Sequence, residues 1–268
     1  MTLLLNLVGP SGIYQSSDYR LTDVSHGRTI EDAFGSKQLS FTSPTWRVYI
    51  SFTGTAEIGG LKTRDWILDS LEKLQHPITG KEAIAKIAER GTDEFQRVAR
   101  EHGILTITVA LDEGSARARF FVISCNEIPG QPLPALPFDE FRIYEFSSRK
   151  PKAVILGFTE CVSKTDRKLL KNLIDSNLAV ADIRKALAKI NARSAKKSRG
   201  LVSEGCLVSA ILSNGKRLSE NFGRVPGIPT DMPLAAEAMQ SAARANPSGR
   251  PVYMEVLALN PEAAPISS

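Results

Sequence analysis

Apolar and polar positions along this chain fall into short blocks, each closed by turn residues. Residues 2–8 (TLLLNLV) are largely apolar and read as a buried strand. Gly9-Pro10-Ser11-Gly12 is turn chemistry, and residues 13–17 return as a second strand. After a polar loop over residues 21–36, residues 37–42 and 46–52 alternate apolar with polar and predict a second hairpin. The pattern then changes to a helical period over 61–74, with Leu61, Ile67, Leu68, Leu71 and Leu74 on one face, closed near Pro77. A second helical stretch opens at Thr79-Gly80-Lys81-Glu82, is interrupted at Gly91-Thr92-Asp93 and closes at His102-Gly103.

Period two resumes in residues 104–111 and 117–125, a hairpin around Asp112-Glu113-Gly114-Ser115. Pro129, Pro132, Pro134 and Pro137 make 128–137 a loop, read as an insertion between strands. Strands are expected at 141–146 and 153–156, and helices at 164–175 and 178–193. Leu169, Leu170, Leu173, Ile183, Leu187 and Ile190 form the inward face of that helix pair. Residues 204–212 and 216–221 flank Asn214-Gly215, a strong hairpin signal. A last helix over 234–244 and a last strand over 251–257 complete the chain.

Strands in blocks with helices in pairs predict antiparallel sheets covered by helices rather than βαβ units. The expected class is α+β: a four-layer αββα sandwich of two antiparallel sheets, each flanked by a helix pair. One domain over residues 1–259 and a frayed tail over 260–268 are expected.

Composition changes little in this picture. Hydrophobic residues at 42% and charged residues at 24% are ordinary for a globular domain. No apolar run reaches the roughly 18–20 residues that span a bilayer, and the apolar start has neither a basic leader nor a small-residue cleavage site. A cytoplasmic location without membrane association follows as the expectation. Cys125, Cys161 and Cys206 then read as buried free thiols. The net charge of +5 and pI near 9.1 concentrate in 164–199. That segment holds no aromatic residue for base stacking, so a solvated helix face is expected there and nucleic acid is not expected as a partner.

Chemistry enters at the start of the chain. A small residue, Thr2, follows Met1, which invites removal of the methionine and leaves Thr2 with a free α-amine. Such an amine titrates at about 7.7–8.0 and can act as general base for its own hydroxyl. Other schemes lack their residues. There is no Gly-x-Ser-x-Gly elbow, phosphate loop or dinucleotide fingerprint, and His26, His76 and His102 have no ligand partners at metal spacing. No cofactor or metal is expected.

Thr2, Gly12, Ser17-Asp18-Tyr19-Arg20 and Thr22 resemble the opening of the proteasome β-subunit-like branch of the N-terminal nucleophile (Ntn) hydrolases. In that family a mature N-terminal Thr is followed by a hairpin and an Asp-x-Arg. Here Asp18 follows Thr2 at the family's spacing. The resemblance implies Thr2 as nucleophile and Asp18 paired with a Lys at the start of the third strand. Lys37 holds that place, about three residues later than in the family. It also implies Gly54 as the backbone donor to an oxyanion, and a structural role for Arg20. Two hairpins of one sheet would bring these residues to one end.

Two supports of the family pattern are altered. An Asp and a Ser are expected before the strand that follows the second helix pair. The chain reads NARSAKKSRGLVSEG there, leaving Ser194, Ser198 and Ser203 as stand-ins for the absent Asp. Gly157-Phe158-Thr159 replaces the usual Gly-Ser-Gly. The resemblance thus implies a threonine hydrolase that cleaves amide bonds, peptide bonds above all, and that assembles as a homo-oligomer. Its alternative is an inactive assembly or binding subunit of the same fold.

Overall fold

The computed structural model describes residues 2–23, 28–31, 37–54, 56–58, 61–74, 77–102, 105–114, 118–125, 140–147, 149–174, 176 and 178–223. In chain order, the strands of the first half are β1 (Leu3–Gly9), β2 (Gly12–Asp18), β3 (Arg20–Asp23), β4 (Arg28–Glu31), β5 (Gln38–Thr42), β6 (Arg47–Gly54), β7 (Glu57–Ile58) and β8 (Leu61–Lys62). Helices α1 (Thr63–Glu72) and α2 (Gly80–His102) follow, then β9 (Leu105–Asp112), β10 (Arg119–Ser124), β11 (Arg142–Ser147) and β12 (Lys152–Gly157). The pair α3 (Lys164–Ile174) and α4 (Val180–Lys197) precedes β13 (Cys206–Leu212) and β14 (Arg217–Phe222).

The strands assemble into two antiparallel sheets of five, ordered β12-β1-β2-β13-β14 and β11-β10-β9-β6-β5, with small ribbons β3-β4 and β7-β8. Period two along β1 sends Leu3, Leu5 and Leu7 into one apolar cluster with α3 and α4, and Leu4 and Val8 into another against the second sheet. Leu170, Leu173, Ile183, Leu187 and Ile190 are buried in the α3–α4 cluster, with Leu169 packed at its margin. On the second sheet, Ile50, Phe52, Ile107 and Val109 pack with Trp66, Ile67, Ile84 and Ile87 of α1 and α2. Each such large side chain contributes about 1.5–3 kcal/mol by leaving water.

The two sheets also face each other across a mixed surface. One end is apolar: Val8, Ile13 and Ile211 meet Tyr49, Ala110 and Phe120. The next register row is polar. Gln15 Nε2 donates to Thr108 Oγ1 of the other sheet at 2.9 Å, and Gln38 Nε2 donates to the carbonyls of Gln15 and Leu207. Ser209 Oγ completes the row by donating to Gln38 Oε1 at 2.7 Å.

Three expectations change. Residues 21–36 are not wholly loop: Leu21 stands opposite Ile30 and Thr22 opposite Thr29, so β3 and β4 form a ribbon whose short alternating runs are hidden among polar residues. The second helical stretch is one helix of 23 residues, uninterrupted at Gly91. Gly91 admits the Phe141 ring, which would lie 3.2 Å from a Cβ there, while Thr92 Oγ1 donates to Ala88 O and accepts from Phe141 N. Helix-breaking residues therefore mark a docking point, not an end. Finally, the first two hairpins belong to different sheets, because each is extended by partners remote in sequence, β13 beside β2 and β9 beside β6. The expected 128–137 loop, the 234–244 helix, the 251–257 strand and the 260–268 tail lie outside the described residues. No described helix is long and apolar enough to cross a membrane.

Candidate active site at the Thr2 end of the sheets

β1 begins one residue after Thr2, and the two carboxylate oxygens of Asp18, at the end of β2, organise the surroundings. Leu3 N donates to Asp18 Oδ1 at 3.1 Å, and Arg20 N and Ser203 N each donate to Oδ2 at 3.1 Å. The Lys37 ammonium lies 3.4 Å from Oδ1 and also donates to Arg20 O. Asp18 and Lys37 are 0% and 2% exposed, so this ion pair is buried. Removal from water pushes the Lys37 ammonium below the usual lysine range, opposed by the Asp18 charge and hydrogen bond, while Arg20 adds to the lowering. Lys37 directly precedes β5, so the second sheet supplies the cation and the first the anion.

Thr2 is held from the opposite side. Its carbonyl accepts Phe158 N at 2.8 Å and Thr53 Oγ1 at 3.4 Å. Gly157 makes this approach possible: at φ +78° a Cβ would stand 2.1 Å from Thr2 O and 2.6 Å from Thr53 Oγ1. Gly54 follows Thr53 directly, ends β6 at φ +98° and is exposed. Thus Asp18 and Lys37 touch, Asp18 bonds the residue after Thr2, and Gly54 adjoins the residue that bonds Thr2 itself. Met1 lies outside the described residues.

The altered supports separate by position. Ser198 Oγ donates to Ala195 O and accepts Val202 N, which finishes α4 rather than serving the site. Ser194 is buried on α4 beside Cys161. Ser203 is the serine that meets Asp18, through its backbone N–H, while its Oγ accepts Tyr19 N at 2.9 Å and donates to Gly205 O at 2.8 Å. Arg20, read as structural, donates through Nη1 to Gly200 O. Thr159 presents its carbonyl to Arg167 Nη2 at 2.6 Å.

All three cysteines are buried and free. Cys206, opposite Asp18 in the β2–β13 register, is pushed up to about 12 by burial, and burial raises the Cys161 thiol as well. Neither is a thiolate nucleophile at neutral pH. Sequence reasoning did not find Asn191, a buried residue of α4 that reaches the Ser203 turn. One polar residue in an otherwise regular helix face gives no signal of its partner.

No family model and no curated protein matches this chain. Solved structures do. An Anbu (Gly-1) mutant from Hyphomicrobium sp. strain MC1 superimposes with TM-score 0.59 at 12% identity, covering 91% of this chain and 96% of that one. Anbu, described as an ancestral beta-subunit, from Yersinia bercovieri gives 0.57 at 14% identity over 91% and 94%. A helical assembly of the Anbu complex from Pseudomonas aeruginosa gives 0.57 at 14% identity over 91% and 93%. At these identities the likeness is one of fold: among the described residues, two antiparallel sheets with four helices, arranged similarly to Anbu.

Proposed function

We propose that this chain is a proteasome β-subunit-like N-terminal threonine hydrolase that cleaves peptide bonds, its elements forming the αββα sandwich of Ntn hydrolases. The observation that carries the reading is the buried Asp18–Lys37 pair bonded to the Leu3 amide, one residue from Thr2. Fold likeness to a structure described as an ancestral beta-subunit supports it, and that of a helical assembly supports a homo-oligomer.

In this mechanism Met1 is removed and the Thr2 α-amine takes the proton of its own hydroxyl. The oxygen attacks the scissile carbonyl, and the Gly54 N–H stabilises the resulting oxyanion, a contribution of about 3–4 kcal/mol for one preorganised donor. Collapse expels the leaving amine with the proton held by the α-ammonium, and leaves an ester on Thr2. Water, deprotonated by the same amine, hydrolyses that ester and regenerates the hydroxyl. Lys37 places a positive charge that favours the deprotonated threonine oxygen and a neutral amine. Asp18 keeps that ammonium in place.

A second reading, an inactive assembly subunit, is favoured by the burial of Thr2, which is 2% exposed. Intact mass spectrometry combined with turnover of a fluorogenic peptide amide separates the two. The hydrolase reading expects a chain lacking Met1 and turnover that Thr2→Ala abolishes. Retained Met1 with no turnover transfers the assignment to the assembly subunit.

A further inference from the structure

Asn191 is fully buried on the inward face of α4, four residues after Leu187 and four before Ala195. A leucine would suit that stripe by packing alone. The amide instead uses both its protons outside the helix: Nδ2 donates to Ser203 O at 3.0 Å and to Glu204 O at 3.2 Å. Among the described residues its Oδ1 has no hydrogen-bond partner. A buried acceptor left unmet is a cost that shape alone would not require, so the two donors are what the position uses.

Those donors hold the short turn between α4 and β13. The same turn supplies the Ser203 N–H to Asp18 Oδ2 and the Ser203 Oγ that accepts Tyr19 N, one residue beyond Asp18. An unbroken path therefore runs from α4 through the turn to the carboxylate that pairs with Lys37. We propose that Asn191 is a positioning residue, which fixes the Ser203 turn and thereby sets the Asp18 carboxylate against the Lys37 ammonium. The mechanistic value of that positioning rests on the Thr2 reading; the positioning itself does not. It stands in a region where the Asp expected from the family resemblance is absent.

The test replaces packing without donors, Asn191→Leu, and reads two groups by NMR in the full chain: exchange of the Ser203 amide and the titration of the Lys37 ammonium. Among the described residues the charged groups around Lys37 are Asp18 and Arg20, with Cys206 beside Asp18. Positioning predicts that Ser203 N–H exchange accelerates by about tenfold or more while amides in the middle of α4 and β13 hold their rates. It also predicts that the Lys37 midpoint falls by about one pH unit, since a displaced Asp18 no longer offsets burial. Unchanged Ser203 exchange and an unchanged Lys37 midpoint in folded Asn191→Leu overturn the proposal, as does uniform acceleration of all amides.

If Asn191→Leu does not fold, the native chain decides. The Ser203 amide and the Asn191 side-chain protons must then exchange as slowly as the Leu3 amide, and exchange at the rate of an open loop overturns the proposal. Failure of the Thr2 reading looks different. An unreactive Thr2 in a chain whose Lys37 midpoint responds to Asn191→Leu removes the hydrolase and leaves the positioning intact.

Discussion

The two ends of the space between the sheets are built on opposite principles. At one end Val8, Ile13, Ile211, Tyr49 and Phe120 exclude water and carry no hydrogen-bonding obligation beyond the tyrosine hydroxyl. At the other, buried Ser17, Thr53, Thr106 and Ser124 lead to a buried ion pair whose every acceptor is assigned a donor. Apolar packing tolerates small shifts, because dispersion falls off gradually and has no direction. A buried carboxylate and ammonium do not tolerate them, since loss of one contact leaves charge without water. The first end stabilises the sandwich and the second spends stability on geometry, which is the expected division between scaffold and site.

Substitutions at the two ends should therefore be separable. Asp18→Ala leaves the Lys37 ammonium without its anion and three backbone amides without an acceptor. We expect a loss of about 3–5 kcal/mol in denaturant unfolding, and no Thr2 reactivity even below the melting transition. Phe120→Ala, fully buried at the other end, should also cost about 3–5 kcal/mol through transfer and cavity terms. Its Thr2 reactivity should persist wherever the chain is folded. If both variants lose reactivity in proportion to stability alone, the division between the ends is wrong.

Gly157→Ala is the next smaller effect. Strain at φ +78° and the contact with Thr2 O should cost about 1–3 kcal/mol and displace Thr2, with thermal unfolding and Thr2 reactivity as paired measurements. A variant that keeps full stability and reactivity would show that β12 does not hold Thr2.

Stability at alkaline pH also distinguishes the buried ion pair from the surrounding core. Lys37 titrates lower in the folded chain than in the unfolded one, so between those values the unfolded chain binds more protons. Its contribution therefore rises with pH in that window, and Lys37→Met should remove the rise. Cys206 has the opposite sign. With its folded value near 12 and an unfolded value of about 8.5, its contribution is lost as pH climbs between them, and Cys206→Ala should flatten that loss. Urea midpoints measured across this range in both variants check the two signs. At the exposed pair Lys73–Asp69, by contrast, Lys73→Ala should change stability by less than about 1 kcal/mol.

Much of the scaffold was legible because period two and the helical period are local. The β1–β2 hairpin, the β9–β10 hairpin and the α3–α4 pair follow from patterns within ten or twenty residues. What the periods do not encode is which edge a hairpin joins, and so the first two hairpins were expected in one sheet. Gly91 misled for a related reason: its role is set by Phe141, fifty residues on. At the site, the approach of Lys37 to Asp18 was expected only through the family resemblance. The parts beyond it were not legible at all. Ser203 was one of three equivalent serines, and nothing in the sequence selects the one that meets Asp18. Asn191 acts on two carbonyls, which every residue possesses. The ribbon β3–β4 is not legible in the sequence because four-residue strands hold too few alternations to stand out from a polar loop.

The measurement closest to the central claim is covalent capture of Thr2 by a peptide epoxyketone, whose two electrophilic carbons take a hydroxyl and an amine from the same residue. Peptide mapping by mass spectrometry locates the adduct. One adduct is expected, on a Thr2 that has lost Met1, absent from Thr2→Ala and reduced by about a hundredfold or more in Lys37→Met with the fold intact. An unmodified chain that retains Met1, or an adduct that forms equally well without the Lys37 ammonium, would contradict it.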